Sequence, residues 1–261
     1  MTTVIVPVDF SETSLNAASY AANFLAGNYG IKLILYHCYT HDEETEKITS
    51  KLEELKRELL EKNPLHIEIL AHKEDDFVTG LERAARHRSA DLVIMGITGK
   101  SSLSQVFFGS NTLKMAETKA CPVLIIPENA TFNHIKNVML ASDFKDTLNT
   151  TPSGPIKNFL SLYRPQLHIV NVDKDHYISL SEKYEKEKED LKELLAEYHP
   201  EFYFMRLFDT HEAIDLFAND RAIDLIIALQ KDHSFIEKLF ANNRTKKLTY
   251  QSKLPILVIH Q

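Results

Sequence analysis

The sequence predicts an α/β protein built from two tandem, doubly wound parallel-sheet domains with five strands each. Short, unbroken Val/Ile/Leu runs alternate with segments of helical periodicity, a pattern typical of parallel strands covered by helices on both faces. Similar segments recur about 132 to 134 residues apart. The length of 261 residues is sufficient for two domains of ordinary size.

The internal repeat places the two domains at residues 1–129 and 134–261. The opening Thr2–Ser14 is similar to Lys136–Thr147, so that Asp9-Phe10 corresponds to Asp143-Phe144. Three further pairs follow in the same order: Ile31–Thr40 with Gln166–Asp173, Asp91–Ile94 with Asp224–Ile227, and the proline-led strands Pro122–Ile126 with Pro255–Ile259. The boundary is expected near Pro127–Lys136.

Each half also carries an amphipathic helix between its second and third strands. Apolar residues recur at three- and four-residue spacing in a charged background, which predicts one buried stripe per helix. The stripes consist of Ile48, Leu52, Leu55 and Leu59 in the first half, and of Leu191, Leu194, Leu195 and Tyr198 in the second. The predicted element order in each half is β-α-β-α-β-α-β-α-β.

Composition excludes several classes of protein. A net charge of -7 and a pI near 5.9 argue against nucleic-acid or anionic-membrane binding. No apolar stretch approaches the roughly 18 to 20 residues of a membrane span, and the N-terminus does not resemble a signal peptide. The two cysteines suggest no disulfide framework, so we expect a cytoplasmic protein. The histidine and cysteine spacings match no zinc motif.

The strongest functional signal is a glycine-containing stretch between Asp91 and Lys119. An apolar strand ends at Gly96, Gly99 follows, and Gly109-Ser110 opens a predicted helix nine residues later. Glycines permit close backbone approach, and free N–H groups at a helix start favour anions. The stretch therefore predicts a phosphate-binding loop, with structural glycines in ordinary turns as the alternative. Gly99-Lys100-Ser101 is not a Walker A motif, because Ile94 stands where that motif needs its first glycine.

Two other residues are candidates at the carboxyl edge of the sheet. Asp9 follows the first strand and is interpreted as a ligand-binding carboxylate, with an N-cap or turn carboxylate as the alternative and Ser11 as a competing cap. Asp9 and Lys100 are the only candidates for assisting hydrolysis of a bound nucleotide. His37, at the end of the second strand, is more simply a packed, hydrogen-bonded histidine.

These features together resemble a known family. The spacing G-x2-G-x9-G-[ST] of Gly96, Gly99, Gly109 and Ser110 resembles the ATP-binding motif of the universal stress protein family. The segments VPVDFSETS, His37-Cys38 and CPVLIIP of the first half resemble that family too. The resemblance covers the whole chain, once in each half. The resemblance implies a Rossmann-like fold of the adenine nucleotide alpha hydrolase type. It also implies a nucleotide-dependent regulatory protein of the stress response that binds ATP or AMP, with two halves paired as a pseudo-dimer and a homodimer as a further option.

The resemblance also assigns roles to residues of the first half. Asp9 would contact the ribose or help to place Mg²⁺ on the phosphates, and any metal would arrive with the nucleotide. The backbone around Cys38 would meet adenine, and Met95 would lie near the nucleotide. The remaining implied nucleotide-binding residues are Pro7, Phe10, Gly96, Gly99, Lys100, Gly109, Ser110 and Asn111.

The second half departs from the motif. The sequence alignment places Ala228, Lys231, Ala241 and Asn242 opposite Gly96, Gly99, Gly109 and Ser110. Alanine at a left-handed position is strained, and its Cβ would crowd a phosphate. We therefore expect no ATP there, while Asp143 keeps a weaker small-ligand site open. Two alternatives to the regulatory role are a slow ATP hydrolase and a scaffold or small-ligand sensor with a vestigial loop.

Overall fold

A computed structural model describes residues 1–41, 45–97, 108–173, 182–206, 210–230 and 254–260. The chain divides into two compact units, Met1–Asn133 and His134–Gln261. Within the described ranges, no helix is sufficiently long and apolar to cross a membrane. Both cysteines are free thiols, and burial raises the pKa of Cys121 to about 12.

The first unit alternates strands and helices in the predicted order. Its elements are β1 (Thr3–Pro7), α1 (Glu12–Leu25), β2 (Lys32–Tyr39), α2 (Thr45–Lys62), β3 (His66–Lys73), α3 (Phe77–His87), β4 (Leu92–Ile97), α4 (Phe108–Glu117) and β5 (Val123–Pro127). The apolar stripe predicted for the second helix is confirmed, since all four of its members are buried on α2. The helical packing therefore follows from the sequence periodicity.

The first unit's strands lie in the order β3-β2-β1-β4-β5, and every pairing between them is parallel. The order reverses direction between β1 and β4, whose register joins Val4 to Leu92 and Ile5 to Val93. In such sheets the carboxyl ends of the strands at the reversal open into a crevice. The fold thus brings the residues after β1 next to the end of β4.

The second unit follows a similar order in its described residues, and the connection between its last two strands lies outside them. Its elements are β6 (Asn137–Ala141), α5 (Thr147–Thr150), α6 (Ser153–Leu160), β7 (Gln166–Asp173), α7 (Glu182–Leu194), β8 (Glu201–Arg206), α8 (Thr210–Asp220), β9 (Leu225–Gln230) and β10 (Ile256–His260). The single helix predicted after its first strand is instead two helices. Pro152 explains the break, because it disfavours helical geometry at Thr151 and cannot donate a backbone hydrogen bond.

The strands of the second unit follow the order β8-β7-β6-β9-β10, again all parallel. Three of the four predicted stripe residues, Leu191, Leu195 and Tyr198, are buried, while Leu194 is only partly so. Tyr198 lies in a short 3-10 turn, Ala196–Tyr198, that follows α7. The doubly wound fold with five strands per unit is therefore confirmed.

Strand register corrects the alignment of the two halves by one residue. Val93 pairs with Val123 in the first unit, and Ile226 pairs with Ile256 in the second. Counting along these strands places Leu229, and not Ala228, opposite Gly96, while Ala228 corresponds to Met95. The alignment of Gly96 with Ala228 is wrong. Val93 corresponds to Ile226, and Gly96 must therefore correspond to the residue three positions after Ile226, which is Leu229. The other aligned residues, Lys231, Ala241 and Asn242, lie outside the described residues.

In each unit, an aspartate just before the fourth strand accepts hydrogen bonds from backbone N–H groups at the start of the first strand. Asp91 Oδ2 accepts hydrogen bonds from the N–H groups of Thr2 (2.6 Å) and Thr3 (3.1 Å). Asp224 Oδ2 accepts them from Lys136 (2.7 Å) and Asn137 (3.0 Å). Burial acts to raise the pKa of Asp91, but these N–H groups outweigh it, and the pKa lies below its ordinary value.

Replacing Asp91 with asparagine is expected to lower the free energy of unfolding by about 1–2 kcal/mol at neutral pH, because the hydrogen bonds lose their charged acceptor. A carboxyl with a lowered folded-state pKa stabilises the protein above its unfolded pKa, and that stability is lost as the pH falls through the folded value. In Asp91→Asn, the free energy of unfolding should therefore also decrease less as the pH falls from 7 to 3. Denaturant unfolding over this pH range measures the difference. The exposed Asp75 provides the control. If Asp91→Asn and Asp75→Asn lose the same free energy of unfolding on acidification, the stabilising role of Asp91 is contradicted.

Candidate functional site

A small pocket lies at the carboxyl ends of β1 and β4 in the first unit. It contains about 30 Å³ of space, which is room for one or two water-sized groups. It is lined by Pro7, Val8, Asp9, Thr13, Ser14, Phe77, Met95, Gly96, Asn111 and Thr112. The pocket therefore sits at the strand-order reversal, where doubly wound sheets bind their ligands.

Gly96 permits β4 to approach α1 closely at this point. A Cβ at Gly96 would lie 2.6 Å from both the Cγ2 and the carbonyl oxygen of Thr13. The φ angle of Gly96 is not in the left-handed region, so its requirement for glycine comes from this contact and not from backbone conformation. The left-handed conformation assumed in the alignment argument is therefore wrong for Gly96. Thr112 Oγ1 also donates a 2.9 Å hydrogen bond to the Gly96 carbonyl, which ties α4 to the end of β4.

Three helices begin around the pocket. α1 contributes Thr13 and Ser14 from its first turn, α3 contributes its first residue, Phe77, and α4 contributes Asn111 and Thr112 from near its start. The first N–H groups of a helix have no intrahelical partner, and they carry the positive end of the helix dipole. Helix N-termini favour an anionic group, but Asp76 already places a carboxylate at the start of α3, and Asp9 places one beside the start of α1.

Side chains of the chain itself cap two of these helices. Ser11 caps α1 by accepting a 3.2 Å hydrogen bond from the Ser14 N–H. Asp76 caps α3 by accepting a 2.8 Å hydrogen bond from the Thr79 N–H. The hydroxyl and N–H of Thr79 hold the pKa of Asp76 below its ordinary value. The N-termini retain further N–H groups beyond those that the caps satisfy.

Asp9 holds Ser11 in the capping position and does not cap the helix itself. Its Oδ1 accepts hydrogen bonds from the N–H of Ser11 at 3.0 Å and from its hydroxyl at 2.6 Å. The Asp9 N–H in turn donates to Ser14 Oγ at 3.3 Å. One carboxylate oxygen is thus engaged in the turn, while the residue also lines the pocket. The turn-carboxylate interpretation of Asp9 agrees with this geometry, and its ligand-binding role stays a prediction.

Phe10 and His37 set the shape of the segment between β1 and α1. Phe10 has a left-handed backbone, with φ of 66°, a conformation that is strained for a bulky side chain. Its ring packs on the His37 ring with centroids 5.2 Å apart, and Lys51 Nζ lies 5.0 Å from its centroid. His37 Nδ1 donates a 2.6 Å hydrogen bond to the Val8 carbonyl. His37 is therefore a packed, hydrogen-bonded residue that supports the loop carrying Asp9.

Cys38 lies beside this loop but is not among the residues that line the pocket. Its thiol donates a 3.3 Å hydrogen bond to the Glu74 carbonyl. Burial raises the pKa of the Cys38 thiol. The thiol is therefore protonated at neutral pH and is not an activated nucleophile.

The structure brings together five of the residues predicted for the site. Pro7, Asp9, Met95, Gly96 and Asn111 line the pocket, while Phe10 and Cys38 lie next to it. Gly109 and Ser110 lie in the first turn of α4. Gly99 and Lys100 are outside the described residues.

Sequence reasoning missed Val8, Thr13, Ser14, Phe77 and Thr112, which also line the pocket. The two threonines and the serine follow the Asp9-Phe10 and Gly109-Ser110 motifs directly. Extending each motif by one helical turn would have found them. Phe77 has no comparable signal, because only the packing of α3 brings it to this edge.

The corresponding region of the second unit is built differently. Leu229, which is 5% exposed, takes the place of Gly96. The Glu187 carboxylate accepts a 2.7 Å hydrogen bond from the N–H of Thr147, the first residue of α5, and another from the Thr147 hydroxyl. A side chain of the protein therefore supplies an anion at the start of this helix. Asn171 Nδ2 donates to the Ser142 carbonyl at 2.9 Å, reproducing the bond from His37 to Val8.

Aromatic residues fill the neighbouring part of the second unit. Phe144, like Phe10, has a left-handed backbone, with φ of 49°. Its ring centroid lies 5.3 Å from that of Tyr184, 6.0 Å from that of Phe202 and 5.5 Å from that of Phe204. The repeat preserves the Asp-Phe turn, but in this unit the phenylalanine packs into an aromatic cluster.

Among the side chains that the structure describes, no group of three or more His, Cys, Asp or Glu residues is arranged to hold a metal ion. Asp9 therefore stands as a single carboxylate at the pocket.

Fold and site together define a doubly wound α/β protein with a ligand crevice at the strand-order reversal of its first unit. Residues 1–127 match the model of the universal stress protein family. A universal stress protein of Methanocaldococcus jannaschii is 29% identical over 139 residues, covering 47% of this chain and 80% of the relative. The first unit is therefore similar in sequence to universal stress proteins over residues 1–127.

Solved structures extend the similarity in fold to the whole chain. A universal stress protein from Archaeoglobus fulgidus DSM 4304 matches with a TM-score of 0.66 and 16% identity, covering 99% of this chain and 96% of that one. A protein of unknown function from Pseudomonas aeruginosa PAO1 matches with a TM-score of 0.64 and 14% identity, covering 100% and 92%. At these identities the comparisons establish the fold alone.

Proposed function

We propose that this chain is an ATP-binding universal stress protein, in which one nucleotide site in the first unit controls a regulatory or sensor role in the stress response. The observation that carries the proposal is the pocket at the reversal between β1 and β4, where three helices begin and where Gly96 leaves no room for a Cβ. Helix N-termini favour phosphate groups, and the close contact of Gly96 with Thr13 holds β4 against the start of α1 beside the pocket.

The described residues suit particular parts of a nucleotide. The starts of α1 and α4 offer N–H groups and the Thr13 hydroxyl to phosphate oxygens, while the hydroxyls of Ser14 and Thr112 already donate to the carbonyls of Ser11 and Gly96. Asp9 has a second carboxylate oxygen that could accept from a ribose hydroxyl or contact Mg²⁺ carried by the phosphates. The pocket, at about 30 Å³, takes one end of such a ligand, and the glycine loop from Gly99 to Gly109 would hold the rest.

The second unit is proposed to bind no nucleotide in this manner. Leu229 places a large side chain where the first unit has none, and Glu187 occupies the start of α5 with a carboxylate. A phosphate approaching that helix would meet a negative charge. The weaker small-ligand site at Asp143 stays a secondary proposal, because Asp143 Oδ1 accepts a hydrogen bond from the Lys145 N–H as Asp9 does from Ser11.

A regulatory role is preferred to hydrolysis because of the geometry of Asp9. A hydrolytic base must be available to orient the attacking water. Asp9 already accepts two hydrogen bonds from Ser11 through one carboxylate oxygen, which fixes its orientation toward the helix turn. If the wild-type protein releases phosphate from ATP and Asp9→Ala does not, the protein would instead be a slow ATP hydrolase.

Calorimetric titration of the full chain with ATP, AMP and a cyclic adenosine phosphate tests the proposal. We expect one site per chain, with Mg²⁺ strengthening the binding of ATP. Two sites per chain would contradict the assignment of the second unit. The absence of heat with any adenosine phosphate, on folded protein, would overturn the proposed function itself.

Asp9→Asn and Asp143→Asn form a matched pair for locating the site. The substitution at Asp9 removes a charge at the pocket but keeps an acceptor for Ser11, so folding should be preserved. We expect affinity for Mg-ATP to fall roughly tenfold in Asp9→Asn, about 1.4 kcal/mol, and to be unchanged in Asp143→Asn. An equal loss in both variants, or a loss only at Asp143, would place binding elsewhere.

A further inference from the structure

The second unit buries a histidine in a place where the first unit has an isoleucine. His168 on β7 lies opposite Glu201 on β8, and Ile34 on β2 lies opposite Glu68 on β3. His168 is 5% exposed and Ile34 is 1% exposed, so both positions belong to the core. The fold therefore does not require a polar side chain at this position.

The imidazole of His168 is unsatisfied as well as buried. Neither ring nitrogen has a hydrogen-bond partner among the described residues. The nearest carboxylate oxygen, Glu201 Oε2, lies 3.6 Å from Nδ1, which is beyond hydrogen-bonding distance. The Glu201 carboxylate instead accepts a hydrogen bond from the Tyr203 hydroxyl. A buried polar group without a partner destabilises the folded state, and the penalty is larger when the group is charged.

Charged and aromatic groups of two other elements surround the ring. Tyr203 on β8 and Phe217 on α8 pack against His168, with ring centroids 5.7 and 6.0 Å from it. Arg221, just after α8, stacks on Tyr203 at 5.0 Å and pairs with Asp220 at 3.2 Å. Glu201 and Tyr203 from β8, and Arg221 from the end of α8, are thus the titratable or charged groups near His168. Of these, Glu201 would partly compensate an imidazolium, while burial and Arg221 oppose the charged form.

We propose that His168 makes the second unit acid-sensitive, because proton uptake by its buried ring loosens the packing of β8 and α8 on β7. A protonated ring has two N–H donors, and it can satisfy them only if Glu201 moves inward from Tyr203 or if water enters beside Phe217. Either change disturbs the β7–β8 edge. The inference is independent of nucleotide binding in the first unit.

The pKa of the His168 ring is lowered in the folded unit, which also favours its neutral form. Burial lowers the pKa of His168; Glu201 acts to raise it, and Arg221 to lower it further. The unfolded chain, with an ordinary histidine pKa of about 6.5, therefore binds the proton more readily than the folded unit does. The stability contributed by neutral His168 is complete above that value, and it is lost as the pH falls from about 6.5 toward and through the lowered pKa.

Hydrogen exchange of the full chain, corrected for intrinsic rates, tests the proposal between pH 7.5 and pH 5.5. In the wild type, the opening of peptides that cover β8 and α8 should increase on acidification, by up to about tenfold per pH unit. His168→Ile, which introduces the residue that the first unit has at Ile34, should abolish this increase. His199→Asn is the matched control, since His199 is exposed in the same unit and its left-handed φ of 45° suits asparagine. An acid response that persists in His168→Ile would overturn the proposal.

A direct titration keeps the proposal testable if that variant folds poorly. The NMR signal of the His168 ring in the wild-type protein should titrate with a midpoint below about 6.5, the ordinary histidine value. A midpoint for His168 at or above that value would overturn the inference.

Discussion

Replacing Gly96 with alanine is expected to lower the free energy of unfolding of the first unit by about 1–3 kcal/mol, because the new Cβ overpacks a tight contact. That atom would lie 2.6 Å from the Thr13 carbonyl oxygen, a backbone atom that cannot move without α1. A shift of α1 would also displace Thr13 and Ser14 from the pocket, so adenosine phosphate binding should fall sharply. Denaturant unfolding and calorimetric titration of the variant measure the two effects.

Gly30→Ala is the matched control for this substitution. Gly30 belongs to the same unit, a Cβ there would meet no atom within 4 Å, and its φ is not left-handed. We expect Gly30→Ala to leave both stability and binding close to the wild type. If Gly96→Ala behaved like Gly30→Ala, the close approach of β4 to α1 would have no functional importance, and the pocket would not be the nucleotide site.

Gly80→Ala is expected to destabilise the first unit by about 1–3 kcal/mol, although alanine normally favours a helix by about 1 kcal/mol over glycine. A Cβ at Gly80 would lie 2.7 Å from the hydroxyl of Tyr36, a fully buried side chain on β2. That hydroxyl has no hydrogen-bond partner among the described residues. Tyr36→Phe should therefore be neutral or stabilising, since it removes an unsatisfied buried group.

The double variant Tyr36→Phe/Gly80→Ala should recover most of the stability that Gly80→Ala loses. The clashing oxygen is then absent, and the remaining close atoms, Cβ and Cγ of Glu74, belong to a side chain that can shift. Gly154→Ala in α6 supplies the control, because a Cβ there meets open space. Denaturant unfolding of the wild type, the two single variants and the double variant completes a double-mutant cycle. A double variant no more stable than Gly80→Ala would refute the steric explanation.

The comparison of the two halves illustrates where sequence reasoning succeeds and where it fails. The Asp-Phe turn, the aspartate before the fourth strand and the apolar stripe of α2 are local patterns, and the structure contains each of them. Aligning Gly96 with Ala228 failed, because short apolar runs look alike when shifted by one residue. Only hydrogen-bonded register, from Val93 to Val123 and from Ile226 to Ile256, fixes the correspondence.

The doubly wound class, the two-fold repeat and the glycine-bearing edge of the first half follow from the amino-acid sequence alone. These depend on periodicity and on residue types with narrow backbone requirements, which act over a few neighbouring positions. The tertiary structure decided why Gly96 must be glycine, that Phe77 reaches the pocket, and that Glu187 meets Thr147 in the second unit. It also placed His168 in the core without a partner among the described residues. Such facts depend on distances between atoms far apart in the chain, and no local pattern encodes them.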